Sequence, residues 1–599
     1  MLKLLFTLWP HMRRYRKGLT LGIGALLLKD VLAAALPLVI RSGIDSLTRG
    51  FQMRAVLGFA ALLVGLSLAK GLFQYWMRVI LIGISRDIEF DLRNDLFHHL
   101  VGLSQDFYAR YRTGDIMARS TNDLNAVRMM LGPGLMYWTE TCLTLVLSVA
   151  VMVHTDARLS LIALAPAPFV SLAVILFGRR IHTRFEHIQR MFSDISSRVQ
   201  ENLAGVRVVR AYAQEKAEVE QFESLNRDYI RENIGLARIQ GTLTPLLQAL
   251  IGLTFLLVLW AGGRQVLEGR ITLGSFVMFN TYMGMLIWPM IALGWVINLM
   301  QRGTASLSRI NEILRERPTI RRLVSDTLPN ASEPLRANEH GDVCAFAHGA
   351  DIRFRGVSMA FGTASGAREA IANIDLTIQA GETVAIVGHT GSGKTTLVNL
   401  IPRLFDPTAG VVEVGGVDIR NYDPEELRRE IGFVPQETFL FSATLAENIA
   451  WGGTDASEER ILRAAELAGL ASDIETFPNG LHTVVGERGL TLSGGQKQRT
   501  AIARAIFRNP RILILDDALS SVDTVTEEKI LSGLAEVMRG RTTILISHRV
   551  STVQNADRIA VLSRGLVVEM GTHQELQQRG GYYAELHQKQ LLEEELEAI

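Results

Sequence analysis

At 599 residues the chain is too long for a single hydrophobic core, so two or more domains are required. Its apolar fraction of 48% and mean hydropathy of +0.19 average two unlike halves: long apolar runs up to about residue 300, then an ordinary mixture of apolar and charged residues. A net charge of +1 excludes a global field aimed at nucleic acid or at an acidic partner.

The first segment, 1–17, sets Arg13, Arg14, Arg16 and Lys17 beside aromatic and aliphatic residues and ends without a small-residue cleavage site. It reads as an amphipathic stretch lying on a membrane surface, not as a cleavable signal. Apolar runs long enough to cross a bilayer, which takes about 20 residues each, follow near 18–40, 55–83, 134–154, 158–178, 243–263 and 272–300. Four spans with two buried soluble helices is the alternative count. The connections after the first, third and fifth runs are short, whereas 84–133 and 179–242 are long and charged. The basic N-terminal flank belongs on the cytoplasmic side of a cytoplasmic membrane. Six crossings then return both long connections and the C-terminal half to that side.

Apolar residues recur at three- and four-residue spacing through Phe90 to Leu100, so the long connections are predicted to extend the spans as helices. Their turning points, Thr113-Gly-Asp115 and Glu201 to Tyr212, are suited to short helices presented to a soluble domain. Lys29 and Asp30 fall in the first apolar run, Lys70 in the second and Glu140 in the third. A central charge costs about 2.5–3.5 kcal/mol on insertion scales, so each must face protein or water. For Lys29 and Asp30 two readings stand: a polar substrate cavity or interhelical pairing. For Lys70 and Glu140, pairing or snorkelling toward an interface is the simpler reading. Cys142 and Cys344 read as unpaired small residues, consistent with a reducing compartment.

From 316 to 349 the chain is polar and irregular, with Pro318, Pro329, Pro334 and Gly341, and marks a linker after a membrane domain of 18–315. A second domain is expected over 350–585, followed by an acidic tail, 586–599. Ile352 to Val357 alternates like a strand with one wet face. Thr383–Val387 and Ile512–Leu515 are continuous apolar runs suited to strands buried on both sides. Helical patterns between them make this an α/β domain.

The run ending at Val387 enters Gly388-His-Thr390-Gly391-Ser392-Gly393-Lys394-Thr395-Thr396, a glycine loop opening a helix. Such a loop wraps backbone N–H groups round phosphates, and the helix N-terminus adds its positive dipole end. Lys394 is placed to reach β- and γ-phosphates. The Thr395 hydroxyl and Asp516, at the end of a buried strand, are placed to hold Mg²⁺. The chemistry is that of ATP binding and hydrolysis.

Leu492-Ser493-Gly494-Gly495-Gln496, followed by Lys497-Gln498-Arg499, resembles the signature of ATP-binding-cassette (ABC) proteins. With six preceding spans the chain is similar, over nearly its full length, to the exporter type that carries membrane and nucleotide domains together. The resemblance implies an all-α six-helix transmembrane domain with long cytoplasmic extensions, then an α/β nucleotide-binding domain. It places Phe361 where an aromatic ring stacks on adenine and Gln436 where a glutamine touches Mg²⁺ and water. Val485 to Gly489 matches an exporter loop that meets the coupling helices. Ser493, Gly494, Gly495 and Gln496 would serve ATP held by a facing domain, Asp523 sits in the loop crossing between sites, and His548 meets the γ-phosphate. Thr113-Gly-Asp115 and Asn122-Asp123 are the weaker membrane-half matches.

Such domains work head to tail in pairs, so a second half-transporter is implied. The departure is Asp517, where the pattern has the Glu that activates water. Its shorter side chain holds the carboxylate about 1 Å back, and such a shift costs about a hundredfold in rate. A heterodimer whose partner supplies the Glu, or a homodimer with two slow sites, follows. The resemblance implies export of a small amphiphilic or drug-like compound through contact with membrane lipid. A lipid flippase, and a regulatory ATP-holding subunit, are the alternatives.

Overall fold

The computed structural model describes residues 6–50, 52–320, 350–361, 368–453, 455–486, 489, 492–522 and 524–597. Its contacts divide the chain into two units, Met1–Gly102 with Tyr111–Arg317 and Leu103–Arg110 with Pro318–Ile599.

Among the described residues of the first unit, six helices are long and apolar enough to cross a membrane: α1 (Arg16–Arg49), α2 (Met53–Val101), α3 (Thr113–Thr155), α4 (Ala157–Ala204), α5 (Glu215–Leu267) and α6 (Leu273–Arg315). They outrun the apolar stretches because the charged connections continue the same helices, as their spacing predicts. Leu68 and Leu72 of α2 and Leu259 and Trp260 of α5 point outward, more than half exposed, the reverse of a soluble core. Ion pairs knit the extensions: Arg184 reaches Glu232 at 2.5 Å and Arg198 reaches Glu218 at 2.7 Å, both between α4 and α5. Asp123 pairs with Arg309 of α6 and accepts from the Ser306 hydroxyl at 2.8 Å. Arg119 joins Asp115 at 3.0 Å to Glu312 at 2.9 Å. The Thr113-Gly-Asp115 and Asn122-Asp123 segments thus lie in one charge network with α6.

Three of the charges within the apolar runs, Lys29, Asp30 and Glu140, are paired. Lys29 Nζ lies 2.7 Å from Asp30 Oδ1 and 2.6 Å from Glu140 Oε1, and Lys29 and Asp30 are both buried. Helical neighbours stand about 100° apart, yet the long lysine side chain curls back onto Asp30 while reaching α3. This is the interhelical pairing reading, with Glu140 as the partner. Cys142 is a free thiol, and Cys344 lies outside the described residues.

Short helices form at the turning points, Gln105–Arg110, Thr113–Ala118 and Val206–Ala211. The first groups with the second unit, where Ile320 N–H donates to Ser104 Oγ at 3.1 Å, and Leu103 and Phe107 are buried. The Val206–Ala211 helix buries none of its residues.

In the second unit, an antiparallel sheet runs in the order β2-β1-β4-β5: β1 (Ile352–Phe361), β2 (Arg368–Ile378), β4 (Ala409–Val414) and β5 (Val417–Asp418). A six-stranded sheet runs β10-β9-β3-β8-β7-β6: β3 (Thr383–Val387), β6 (Ile431–Val434), β7 (Ile512–Asp516), β8 (Thr542–Ile546), β9 (Arg558–Ser563) and β10 (Leu566–Gly571). Its pairs are parallel from β9 to β6. Every residue of β7 is buried, as a strand covered on both faces requires. Helices α7 (Lys394–Leu400), α8 (Gly494–Phe507), α9 (Thr524–Met538) and α10 (Tyr582–Glu597) complete the frame used below. The boundary expected at 585/586 falls inside α10, which stays helical nearly to the end. Most of the expected 316–349 linker lies outside the described residues.

Candidate functional site

The loop between β3 and α7 owes its path to glycine. Gly388, Gly391 and Gly393 hold φ of +151°, +81° and +101°, in the region L side chains avoid. A Cβ on Gly393 would stand 2.6 Å from the Ala370 carbonyl oxygen, so the loop closes only without one. The Lys394 ammonium donates to the carbonyls of Gly388 at 2.7 Å and His389 at 3.0 Å.

A cavity of about 190 Å³ opens beside it, walled by Thr390, Gly391, Ser392, Gly393, Lys394, Thr395, Thr396, Gln436, Asp516, Asp517 and His548, with Ala370 and Ile546. Parallel pairing brings these together. Asp516 ends β7 beside Ile546 of β8, and β8 lies next to β3, so the phosphate loop, both carboxylates and His548 gather at the C-terminal ends of these strands. Asp516 is buried and bonded to the Thr395 side chain, while its Oδ2 and the buried Ser392 Oγ have no hydrogen-bond partner among the described residues. Buried polar atoms left open in a glycine-lined cavity that holds Lys394 fit a phosphate ester and its cation. A hydroxyl, one carboxylate and room for phosphate oxygens fit Mg²⁺, which prefers few protein ligands.

Burial sets the electrostatics. It lowers the Lys394 pKa, opposed by the charges of Asp516 and Asp517. It raises that of Asp516, opposed by the Thr395 hydrogen bond and by Lys394 and reinforced by Asp517. It lowers that of His548, and the charge of Lys394 adds to the effect. Phosphate charge in the cavity would stabilise the protonated lysine and reverse the first shift.

Asp517 stands in the left-handed region at φ +49°, its N–H donating to Ile546 O at 2.9 Å. Aspartate tolerates that backbone better than longer side chains do. The shortened side chain therefore has a local conformational rationale.

The remaining candidates lie outside the cavity wall. Gly388 sits behind it as a carbonyl acceptor for Lys394. Phe361 closes β1 and packs edge-on to Phe405 at 5.3 Å. Ser493 caps α8: its hydroxyl accepts from Gln496 N–H at 3.2 Å, and the Gln496 side chain accepts from Ser493 N–H at 2.9 Å. Ser493 and Gly494 are exposed, Gly495 is buried, and none of the three reaches the cavity. Asp523, Glu487 and Arg488 lie outside the described residues.

The structure adds residues that local sequence does not flag. Gln498 donates to Ser520 Oγ at 3.0 Å and accepts from Ser521 N–H at 2.9 Å, tying α8 to the 520–522 loop. Buried Glu527 receives Arg549 and the Thr552 hydroxyl, and Arg549 also donates to Val522 O at 3.1 Å. Its only sequence signal is a glutamate in a helix, which is ordinarily solvent-facing.

Family models match residues 19–290 as an ABC transporter transmembrane region and 371–520 as an ABC transporter. The chain is 37% identical to the "Probable multidrug resistance ABC transporter ATP-binding/permease protein YheI" of Bacillus subtilis (strain 168), covering 96% of this chain and 95% of that one. It is 35% identical to the "ATP-dependent lipid A-core flippase" of Syntrophus aciditrophicus (strain SB), covering 98% and 94%. Among solved structures it is similar to a bacterial Atm1-family ABC exporter with ATP bound, at TM-score 0.77 and 28% identity, over 96% of this chain and 99% of that one.

Proposed function

The chain belongs to the ABC transporters, with a transmembrane region and an ATP-binding domain in one polypeptide, and from that premise we propose that it is half of a dimeric exporter moving small amphiphilic compounds out through the cytoplasmic membrane. It is a multi-pass membrane protein and an ATP-hydrolysing transporter. The N-terminus and the nucleotide domain lie on the cytoplasmic side in this reading.

One observation carries it. The ATP cavity holds the phosphate loop, Asp516, Gln436 and His548, but the signature at Ser493 is exposed on a capped helix end away from that wall. A signature outside the wall of its own site, with Ser493 and Gly494 exposed, is free to serve a second nucleotide domain. The unburied Val206–Ala211 helix offers such a partner a second contact.

In this mechanism Lys394 and the loop N–H groups hold the phosphates, and Phe361 faces the base. Thr395, Asp516 and Gln436 would hold Mg²⁺, which when bound neutralises charge on the β- and γ-oxygens. His548 contacts the γ-phosphate, and Asp517 orients the attacking water from a retracted position. Asp523 and the signature Ser493, Gly494, Gly495 and Gln496 complete the partner's site. ATP binding closes the nucleotide domains and turns the cavity outward; hydrolysis resets it.

The retracted Asp517 favours a heterodimer in which the partner supplies the faster base. A stable dimer of this chain alone, with robust turnover, would establish the homodimer instead. Asp517→Glu separates a slow base from a regulatory nucleotide: turnover is expected to rise about tenfold to a hundredfold, and no rise marks a subunit that only holds ATP. The lipid A-core flippase relative supports a second cargo class. Vesicle assays comparing a labelled lipid with an amphiphilic dye decide between them.

A further inference from the structure

The loop carrying His548 is held from two sides. From the C-terminal helix α10, Gln590 donates through Nε2 to the His548 carbonyl and accepts at Oε1 from the Val550 N–H at 2.8 Å. A backbone N–H can only donate and a carbonyl only accept, so the two partners fix which way the amide points. From α9, Glu527 takes the Arg549 guanidinium with one oxygen and the Thr552 hydroxyl with the other at 2.5 Å. None of these contacts uses the imidazole, which lines the ATP cavity. The start of α10 also meets the phosphate loop: the Tyr582 ring packs edge-on to His389 with centroids 5.3 Å apart. Glu569 anchors that end by accepting from the N–H groups of Tyr582 at 2.6 Å and Tyr583 at 3.1 Å. One helix therefore touches both the phosphate loop and the backbone of the histidine loop.

We propose that Gln590 is a positioning residue: by engaging the backbone on both sides of Arg549, it sets where the His548 imidazole meets the terminal phosphate of ATP. The proposal rests on the reading of His548 as the γ-phosphate contact. A side chain that mimics backbone pairing fixes a loop that has no ladder of its own, and each such bond to a buried backbone group resists displacement.

The test compares binding of AMP-PNP·Mg²⁺ and ADP·Mg²⁺ to the full-length assembled transporter. Where the partner is a different chain, its phosphate-loop lysine is replaced so that one site is read. Gln590→Leu is expected to weaken AMP-PNP about tenfold and leave ADP within about twofold. His548→Ala should produce the same selective loss, and the double variant should lose no more than His548→Ala alone. Gln590→Glu keeps the acceptor and the length but not the donor, and should reproduce the loss if Gln590→Leu does not fold. Equal weakening of both nucleotides would show that α10 merely supports the domain and would overturn the proposal, as would additive losses in the double variant. Unchanged selectivity in His548→Ala would instead remove the γ-phosphate role itself, and this proposal with it, while leaving the exporter assignment standing.

Discussion

Two buried lysines next to aspartates, one in each unit, have opposite fates. Lys29 in α1 is saturated by Asp30 at 2.7 Å and Glu140 at 2.6 Å, so its charge is used up inside the fold. Lys394 is likewise buried, but its ammonium is spent on the carbonyls of Gly388 and His389, beside an Asp516 oxygen with no partner. Asp30 also leaves one oxygen unpartnered, so the contrast lies in the lysines. A cation that ends on carboxylates holds helices together. One that ends on the carbonyls of a glycine loop can exchange them for phosphate oxygens.

The largest effect should come from the membrane pair. Lys29→Met leaves the buried Asp30 carboxylate without its cation and Glu140 without its partner, and is expected to cost about 3–5 kcal/mol, read as thermal unfolding in detergent. Replacing Lys29 and Glu140 by Met together should recover much of that loss. A Lys29→Met variant that stays stable but loses cargo binding would break the comparison by making Lys29 a substrate group. Lys394→Ala should act the other way round. Stability should change little, while ATPase activity in nanodiscs, read with the phosphate-loop lysine of any different partner chain replaced so that only this site turns over, falls about 10²–10³-fold, as expected for removing a donor aimed at developing charge. A matched fall in stability would show that Lys394, too, is mainly structural. The smallest effect sharpens the distinction between support and site. Ser493→Ala removes the cap of α8, worth about 1 kcal/mol to the helix. If the Ser493 hydroxyl also meets ATP across the dimer, turnover should fall by more than that loss of stability explains.

Much of the fold was legible because its signals are local. The six apolar runs, the helical spacing of the connections and the buried runs at Thr383–Val387 and Ile512–Leu515 each reflect a periodicity within one element, and each appears where expected. That the motif residues would line one cavity was legible for the same reason: glycine spacing dictates the loop, and most of the wall residues lie within motifs. Lys29 was not resolved. Its partner is 111 residues away on another helix, and the rotation of α3 against α1, which no local period encodes, decides whether they meet.

The sequence by itself determined what the chain is built from and the chemistry of its nucleotide loop, since apolar length, helical period and left-handed glycines act within a few residues. Tertiary structure decided which charges are spent and which stay open. It gave Lys29 to Glu140, put Asp517 in a left-handed backbone and grouped Leu103–Arg110 with the second unit. It also laid Gln590 of the last helix against His548. Hydrogen bonds and ion pairs act over a few ångströms whatever the distance along the chain, so only packing selects the partners.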